Sequence, residues 1–407
     1  MITHENKFGM FIHWGLYSMT GFQEQALARL DMDHSEYEAL MYSFNPTAFD
    51  PEAWVQLAKS AGMKYICFTA KHHDGFCMWD TKQTDYNIMN TPYGKDVLKM
   101  LADACKRNGM LLSIYYSNPD WHHSCGYNPL SSHQWKAKNK DVVDTERYRE
   151  YVKAQITELL TGYGKIYTFF WDIPPKIYDP SLNDLVRKLQ PGILINDRGW
   201  SEGDFSTPER EYPQASSQFF THMTEACNSV GEHSWGYCKN ESFYSTRYLC
   251  FSIDRYMAQG ASYLLNVGPN ERGEITEEYK KRILSVGDWY NRMEGCLENA
   301  DADTYDYDVS TKQVVCTRKN QKTYLHFYNG LVSGAFSLKR YPSMPKSVRL
   351  MNTGKQLSYD VLYLPESFAE NGDSVGKKWL YISGIDIDKL ENEPLIVEIE
   401  WGETENG

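Results

Sequence analysis

Four apolar runs before residue 175 stop at ionisable or aromatic side chains. They are Phe8–Trp14 (ending His13-Trp14), Tyr65–Asp74 (ending His72-His73-Asp74), Leu111–Ser117 (with Tyr115-Tyr116) and Ile166–Asp172 (ending Trp171-Asp172). A carboxylate at the end of such a run can attack an electrophilic carbon or stabilise a cation. Asp172 is the leading candidate for that role, against the plainer reading of a helix N-cap or loop-closing Asp. Histidines in this setting ligate metals, move protons or donate hydrogen bonds to ligand hydroxyls. His13, His72, His73 and Asp172 could supply a metal site, as in metal-dependent barrel hydrolases. No His-x-His occurs on the first run, however, and a sugar-hydroxyl role fits the histidines better. Glu241, just past Ser234-Trp235-Gly236-Tyr237, could be a general acid, with Glu24, Glu209, Glu211 and Glu225 as competing carboxylates. His122-His123-Ser124-Cys125 reads as solvated loop histidines after Trp121. Gly268-Pro269-Asn270 and Gly273 form a turn, since the spacing and the Lys-Ser/Thr of a nucleotide loop are missing.

The elements that would position these residues alternate. Asp50-Pro51 is a helix start, and Trp54, Leu57, Ala58 and Ala61 fall on one face. Asp96–Arg107 and Thr145–Leu160 repeat the pattern, each followed by a glycine and the next apolar run. Helix Leu182–Leu189, a short strand Ile193–Asp197, a polar loop over 200–232, a short strand Ser234–Tyr237, helix Tyr248–Ala258, strand Ser262–Val267 and helix Glu277–Met293 follow. Apolar runs that alternate with amphipathic helices imply a parallel sheet buried on both faces, with polar groups at the C-terminal strand ends. The expected fold is a (β/α)8-like TIM barrel over residues 1–298. After about residue 300 the pattern changes to short strands (Val314–Cys316, Tyr324–Tyr328, Val348–Met351, Trp379–Ile382, Leu395–Trp401) without long helices. These read as a C-terminal antiparallel β-sandwich over 299–407.

Composition narrows the partners. The net charge of −12 argues against nucleic acid or an anionic membrane as the main partner. Aromatic residues make up 14%, which alone indicates a large aromatic core before it indicates a sugar-stacking pocket. Nine cysteines, an odd number without a Cys-x-x-Cys pair, fit reduced thiols and a cytoplasmic location. No run reaches the ~20 apolar residues of a membrane helix.

Several of these segments resemble the α-L-fucosidases of glycoside hydrolase family 29. They are Lys7-Phe8-Gly9-Met10-Phe11-Ile12-His13-Trp14-Gly15-Leu16-Tyr17-Ser18, Ala61-Gly62-Met63-Lys64-Tyr65 and Thr69-Ala70-Lys71-His72-His73-Asp74-Gly75-Phe76. Tyr115-Tyr116-Ser117 with Asp120-Trp121, Asn196-Asp197-Arg198, Ser234–Tyr237 and Leu264–Pro269 extend the match in order. The chain departs from the family pattern at Phe170-Trp171-Asp172, where the Trp usually stands two residues before the Asp, and at Gln25, where Trp is usual. The resemblance implies a retaining exo-hydrolase of terminal α-L-fucose on an oligosaccharide or glycoconjugate, without metal or cofactor. It implies Asp172 as nucleophile and fucose contacts from His13, His72, His73 and Tyr116, with Trp14, Glu24, Trp121 and Trp171 around them. It places the acid/base at Glu241. A fucose-like galactoside as substrate, or a metal-dependent barrel hydrolase, are the alternatives.

Overall fold

The computed structural model describes residues 6–403, apart from 142, 211–218, 294, 312–313, 329, 364–377 and 391. Its first strands are β1 (Phe8–Ile12), β2 (Tyr65–Lys71), β3 (Leu111–Ser117), β4 (Thr168–Asp172), β5 (Leu194–Ile195), β6 (Glu225–Ser229) and β7 (Ser262–Val267). They form one parallel sheet in the order β5-β4-β3-β2-β1-β7-β6. β1, β2, β4, β6 and β7 are buried along their whole length, the signature of a sheet covered on both faces.

Four of the helices between these strands start the same way. Asp50, Asp96, Asp144 and Asp179 each accept a hydrogen bond from a backbone N–H of the first turn, and Pro follows two of them. That satisfies amides that have no partner within the helix. The cap at Asp179 moves the fourth helix start to Pro180, ahead of the apolar face that begins at Leu182.

The sheet is strongly curled. Phe11, Tyr65, Cys67, Tyr115, Phe170, Cys227 and Leu264 pack in one cluster, so side chains of β4 and β6 meet although those strands stand far apart in the sheet order. Residues 204–210 lie between β5 and β6. Asp204 N–H donates to Ile195 O and Asp197 N–H to Phe205 O on one side; on the other, Cys227 N–H donates to Pro208 O and Arg210 N–H to Cys227 O.

Two sequence expectations fail here. The stretch read as a polar loop over 200–232 contains β6, and no strand forms at Ser234–Tyr237. β6 is hard to read because three of its five residues are polar yet buried. Their partners are internal: Glu225 accepts from the Tyr65 hydroxyl at 2.6 Å, and Ser229 Oγ accepts from Asn266 Nδ2 at 3.0 Å.

The second group of strands is antiparallel: β8 (Asp301–Ala302), β9 (Val314–Lys319), β10 (Lys322–Phe327), β11 (Ala335–Leu338), β12 (Pro345–Leu350), β13 (Ser358–Leu362), β14 (Trp379–Ser383) and β15 (Leu395–Trp401). They form two sheets, β12-β15-β10-β9-β8 and β11-β14-β13. Leu325, Phe336, Val348, Leu380 and Val397, drawn from both sheets, share one apolar core. The chain divides into two compact units. One comprises Met1–Glu211, His222–Tyr244 and Ser262–Ser285; the other comprises Tyr212–Thr221, Ser245–Ala261 and Val286–Gly407. In the second unit the helix Thr246–Ala258 is tied to β10 by a hydrogen bond of 2.8 Å between His326 Nδ1 and Asp254 Oδ1, both fully buried.

Candidate active site

Side chains alternate across a strand, and the C-terminal strand ends use this to build a cleft. β1 sends in Phe11, with His13 beyond it; β3 sends Tyr115; β4 sends Phe170 and Asp172. The register agrees: Tyr115 pairs with Phe170, and Ser117 with Asp172. His72 and His73, directly after β2, both line the cleft. A larger cavity of about 1080 Å³ opens at the N-terminal ends of β3–β5, around Leu111, Tyr167 and Leu194, away from all of these groups.

Asp172 is the best-supported carboxylate. Its Oδ2 accepts from the Tyr115 hydroxyl at 2.6 Å and its Oδ1 from Arg198 Nη1 at 3.1 Å. His73 Nε2 lies 3.8 Å from Oδ2. Burial opposes ionisation, but the Arg198 cation and the Tyr115 hydrogen bond outweigh it and hold the carboxyl below its ordinary range.

The three histidines are neutral. Burial pushes His13 down to about 4 and His73 to about 3, and lowers His72 well below its ordinary value. His13 Nδ1 is hydrogen-bonded to Asn266 at 2.7 Å and His73 Nδ1 to Ser117 Oγ at 2.7 Å. His72 stacks nearly parallel on Tyr115, and its buried Nδ1 has no partner among the described residues. His72, His73 and Asp172 offer ligand atoms within 4.8 Å of one another. They suit a metal poorly, because Arg198 and Tyr115 already occupy both Asp172 oxygens and the guanidinium would repel a second cation.

The remaining expected contacts divide. Glu24 lines the cleft, with Oε2 accepting from Ser234 Oγ and from the amides of Trp235 and Gly236 at 2.9–3.1 Å. Tyr116 points the other way: its hydroxyl donates to Gln155 at 2.7 Å and accepts from Lys71 Nζ at 3.0 Å. Trp171 bonds Asn183 on a surrounding helix, and Trp14 bonds the Asn270 carbonyl and packs on Trp54. Trp121 stands behind His73, donating to the His133 carbonyl at 2.7 Å. His122 is bound to Glu38 at 2.8 Å and stacks on Tyr86, rather than standing free in solvent.

Glu241 is not among the cleft residues. Its two oxygens accept from the amides of His233 and Ser234 at 2.9 and 3.1 Å, and burial raises its pKa. The carboxylate in the cleft is Glu209, whose Oε2 accepts from Arg198 Nη1 at 2.8 Å. Both acids therefore share one guanidinium nitrogen, at 3.1 and 2.8 Å, and the bonded oxygens lie no more than 5.9 Å apart. Glu225 is buried in the sheet interior on Tyr65, and Glu211 lies outside the described residues. Trp235 lines the cleft beside His13, with ring centroids 5.3 Å apart.

Known proteins with this architecture are consistent in kind. The chain is 26% identical over 390 residues to tissue alpha-L-fucosidase of Rattus norvegicus, covering 86% of this chain and 81% of that one. The structure of alpha-L-fucosidase isoenzyme 1 from Paenibacillus thiaminolyticus superposes with a TM-score of 0.85 at 28% identity, covering 98% of both chains. A family 29 α-L-fucosidase from Bacteroides thetaiotaomicron, trapped as a covalent intermediate with 2-fluoro-fucosyl fluoride, gives 0.76 at 25% identity, covering 97% of this chain and 94% of that one. The family description for alpha-L-fucosidases matches residues 3–294, more than two thirds of the chain, and the chain belongs to that family.

Proposed function

We propose that this chain is a retaining exo-hydrolase that releases terminal α-L-fucose from oligosaccharides or glycoconjugates. The observation that carries the mechanism is the pairing of Asp172 and Glu209 on Arg198. Retaining glycosidases need carboxyl groups ~5–5.5 Å apart and inverting ones ~6.5–9.5 Å. The bonded oxygens lie at most 5.9 Å apart, close enough for both acids to reach one glycosidic bond, and the covalent intermediate trapped in the Bacteroides thetaiotaomicron family member supports the first class. Asp172, held ionised, attacks the anomeric carbon. Glu209 hands a proton to the leaving oxygen and then takes one from the water that frees the sugar. The neutral His13, His72 and His73, which line the cleft, bind hydroxyls. Phe11, Phe170 and Trp235 offer apolar surface to the C6 methyl.

The β5–(204–210)–β6 hydrogen bonds support a sheet that closes as a (β/α)8-like barrel, and the shared core of the two antiparallel sheets supports a sandwich. All the cleft residues precede residue 299, so catalysis is assigned to the barrel. Nine unpaired cysteines fit a reducing compartment.

The test is an aryl α-L-fucoside with proton NMR detection of the first-formed anomer. Appearance of α-L-fucose first is expected; β first would overturn the retaining mechanism. Azide should rescue Glu209→Ala and yield the α-fucosyl azide. A second reading keeps Glu241 as the acid, favoured by its raised pKa. Azide rescue of Glu241→Ala without rescue of Glu209→Ala would select it.

A further inference from the structure

Beyond the fucose pocket, the loop after β3 carries a feature that the hydrolysis of fucose itself does not use. Trp135 is 48% exposed, although a Trp side chain normally buries most of its large apolar surface. It stands beside the cleft. Its ring lies 4.6 Å from that of His133, and His133 lines the cleft with its ring 5.5 Å from His73.

The loop is held in this shape at a cost. His133 adopts a left-handed backbone, φ 60°, which a residue with a side chain seldom does. The Trp121 indole fixes its carbonyl at 2.7 Å. Lys136 anchors the next turn by bonding Asp31 at 2.6 Å and the Met32 carbonyl at 3.0 Å, and the Lys136 carbonyl is bound to His34 Nε2 at 2.7 Å.

A second segment at the cleft reaches the same indole. Arg29 places its guanidinium 5.0 Å from the Trp135 ring centre, and its Nε donates at 3.2 Å to Gln25, which lines the cleft. Two chain segments thus converge on an aromatic side chain that leaves nearly half its surface in water. The exposed half of the indole offers a flat apolar surface, and Arg29 and Gln25 set polar groups at its edge, the combination that a pyranose with one apolar face requires.

We infer that Trp135, with Arg29 and His133, forms the subsite for the sugar that carries the fucose, a pyranose whose apolar C–H face packs on the indole. The inference rests on the fucosidase reading. His133 lines the cleft with its ring between those of His73 and Trp135, so a leaving group that extends from the cleft on that side meets the indole. Arg29 and Gln25 supply donors and acceptors to that pyranose's hydroxyls. The platform selects substrates with a pyranose next to the fucose over those whose leaving group has no ring.

The experiment compares Trp135→Ala and Trp135→Phe with wild type on two substrates. One is α-L-fucosyl fluoride, whose leaving group cannot reach the rim. The other is whichever fucosyl-galactose or fucosyl-N-acetylglucosamine disaccharide the wild type prefers. Trp135→Ala should lose about tenfold in kcat/KM on the disaccharide, mainly through KM, and stay within about twofold on the fluoride. Trp135→Phe should recover most of the loss. Equal effects on both substrates, or none on the disaccharide, would overturn the subsite while leaving the fucosidase reading intact. Failure of the wild type to hydrolyse the fluoride would overturn the fucosidase reading and the subsite with it.

Discussion

Tyr115→Phe removes one hydroxyl and nothing else from the floor of the cleft. The ring, stacked on His72 at 5.7 Å and on Phe170 at 5.8 Å, stays. Burial holds the Tyr115 hydroxyl well above its ordinary pKa, so it donates to Asp172 at every practical assay pH. A hydrogen bond to a charged acceptor contributes about 1.5–3 kcal/mol. Each pKa step corresponds to about 1.4 kcal/mol, so the loss should raise the Asp172 pKa by about 1–2 units. The sign follows from which form is stabilised. The donor favours the carboxylate, and its removal favours the acid. The acid limb of kcat/KM against pH on an aryl α-L-fucoside reports the free-enzyme nucleophile. That limb should move upward by about 1–2 pH units, with a smaller change on the plateau. Tyr116→Phe is the control, because its hydroxyl serves Gln155 and Lys71 outside the cleft. An unmoved limb in Tyr115→Phe, or an equal shift in Tyr116→Phe, would refute the assignment of Asp172 as the titrating nucleophile.

Other outcomes follow from the same geometry. Asp172→Ala should lose on the order of 10⁴-fold in kcat, measured by single-turnover fluorimetry on a methylumbelliferyl α-L-fucoside. His72→Phe should keep the stack on Tyr115 and lose the imidazole nitrogens, raising KM for fucosides about tenfold with little change in melting temperature. Burial raises the Glu225 carboxyl to about 7. Its stability contribution is therefore complete below about pH 4.5 and lost as pH rises toward 7. Glu225→Gln should flatten that fall by about 2–3 kcal/mol in urea titrations at pH 5 and 8. Dialysis against a chelator should leave kcat unchanged, and its loss with recovery on added zinc would revive the metal reading of His72, His73 and Asp172.

The sequence carried the pocket where chemistry and parity agreed. Asp172 and the three histidines end apolar runs, and residue type with position is enough to see them. Parity then had more to give. If Asp172 faces the cleft, Phe170 must face it too and Trp171 must face away, as observed. Tyr115 and Tyr116 are adjacent, so only one could enter. Which one depends on the register with β4, which adjacency does not reveal. Glu209 was a harder case. It sits in a polar stretch whose strand character comes from hydrogen bonds to β5 and β6 rather than from apolar residues. β6 itself was hidden for the same reason, since burial of Glu225 and Ser229 depends on partners from distant segments. Glu241 drew attention by its place after Trp235-Gly236-Tyr237, yet it spends both oxygens on the turn at His233 and Ser234.

The two acids and their shared cation come from neighbouring places around the sheet. Asp172 ends β4, Arg198 follows β5, and Glu209 lies in the stretch bonded to both β5 and β6. These three residues are also near one another in sequence, whereas β1 pairs with β7 from the far end of the sheet-forming segment. Such long-range pairing is slow to form, because distant segments must be brought together before any bond compensates their lost freedom. A refolding chain that has formed β4 to β6 would already carry Asp172, Arg198 and Glu209, but not His13 held on Asn266 of β7 at 2.7 Å. Recovery of hydrolysis would then mark the joining of β1 to β7, and helical signal should return before activity does.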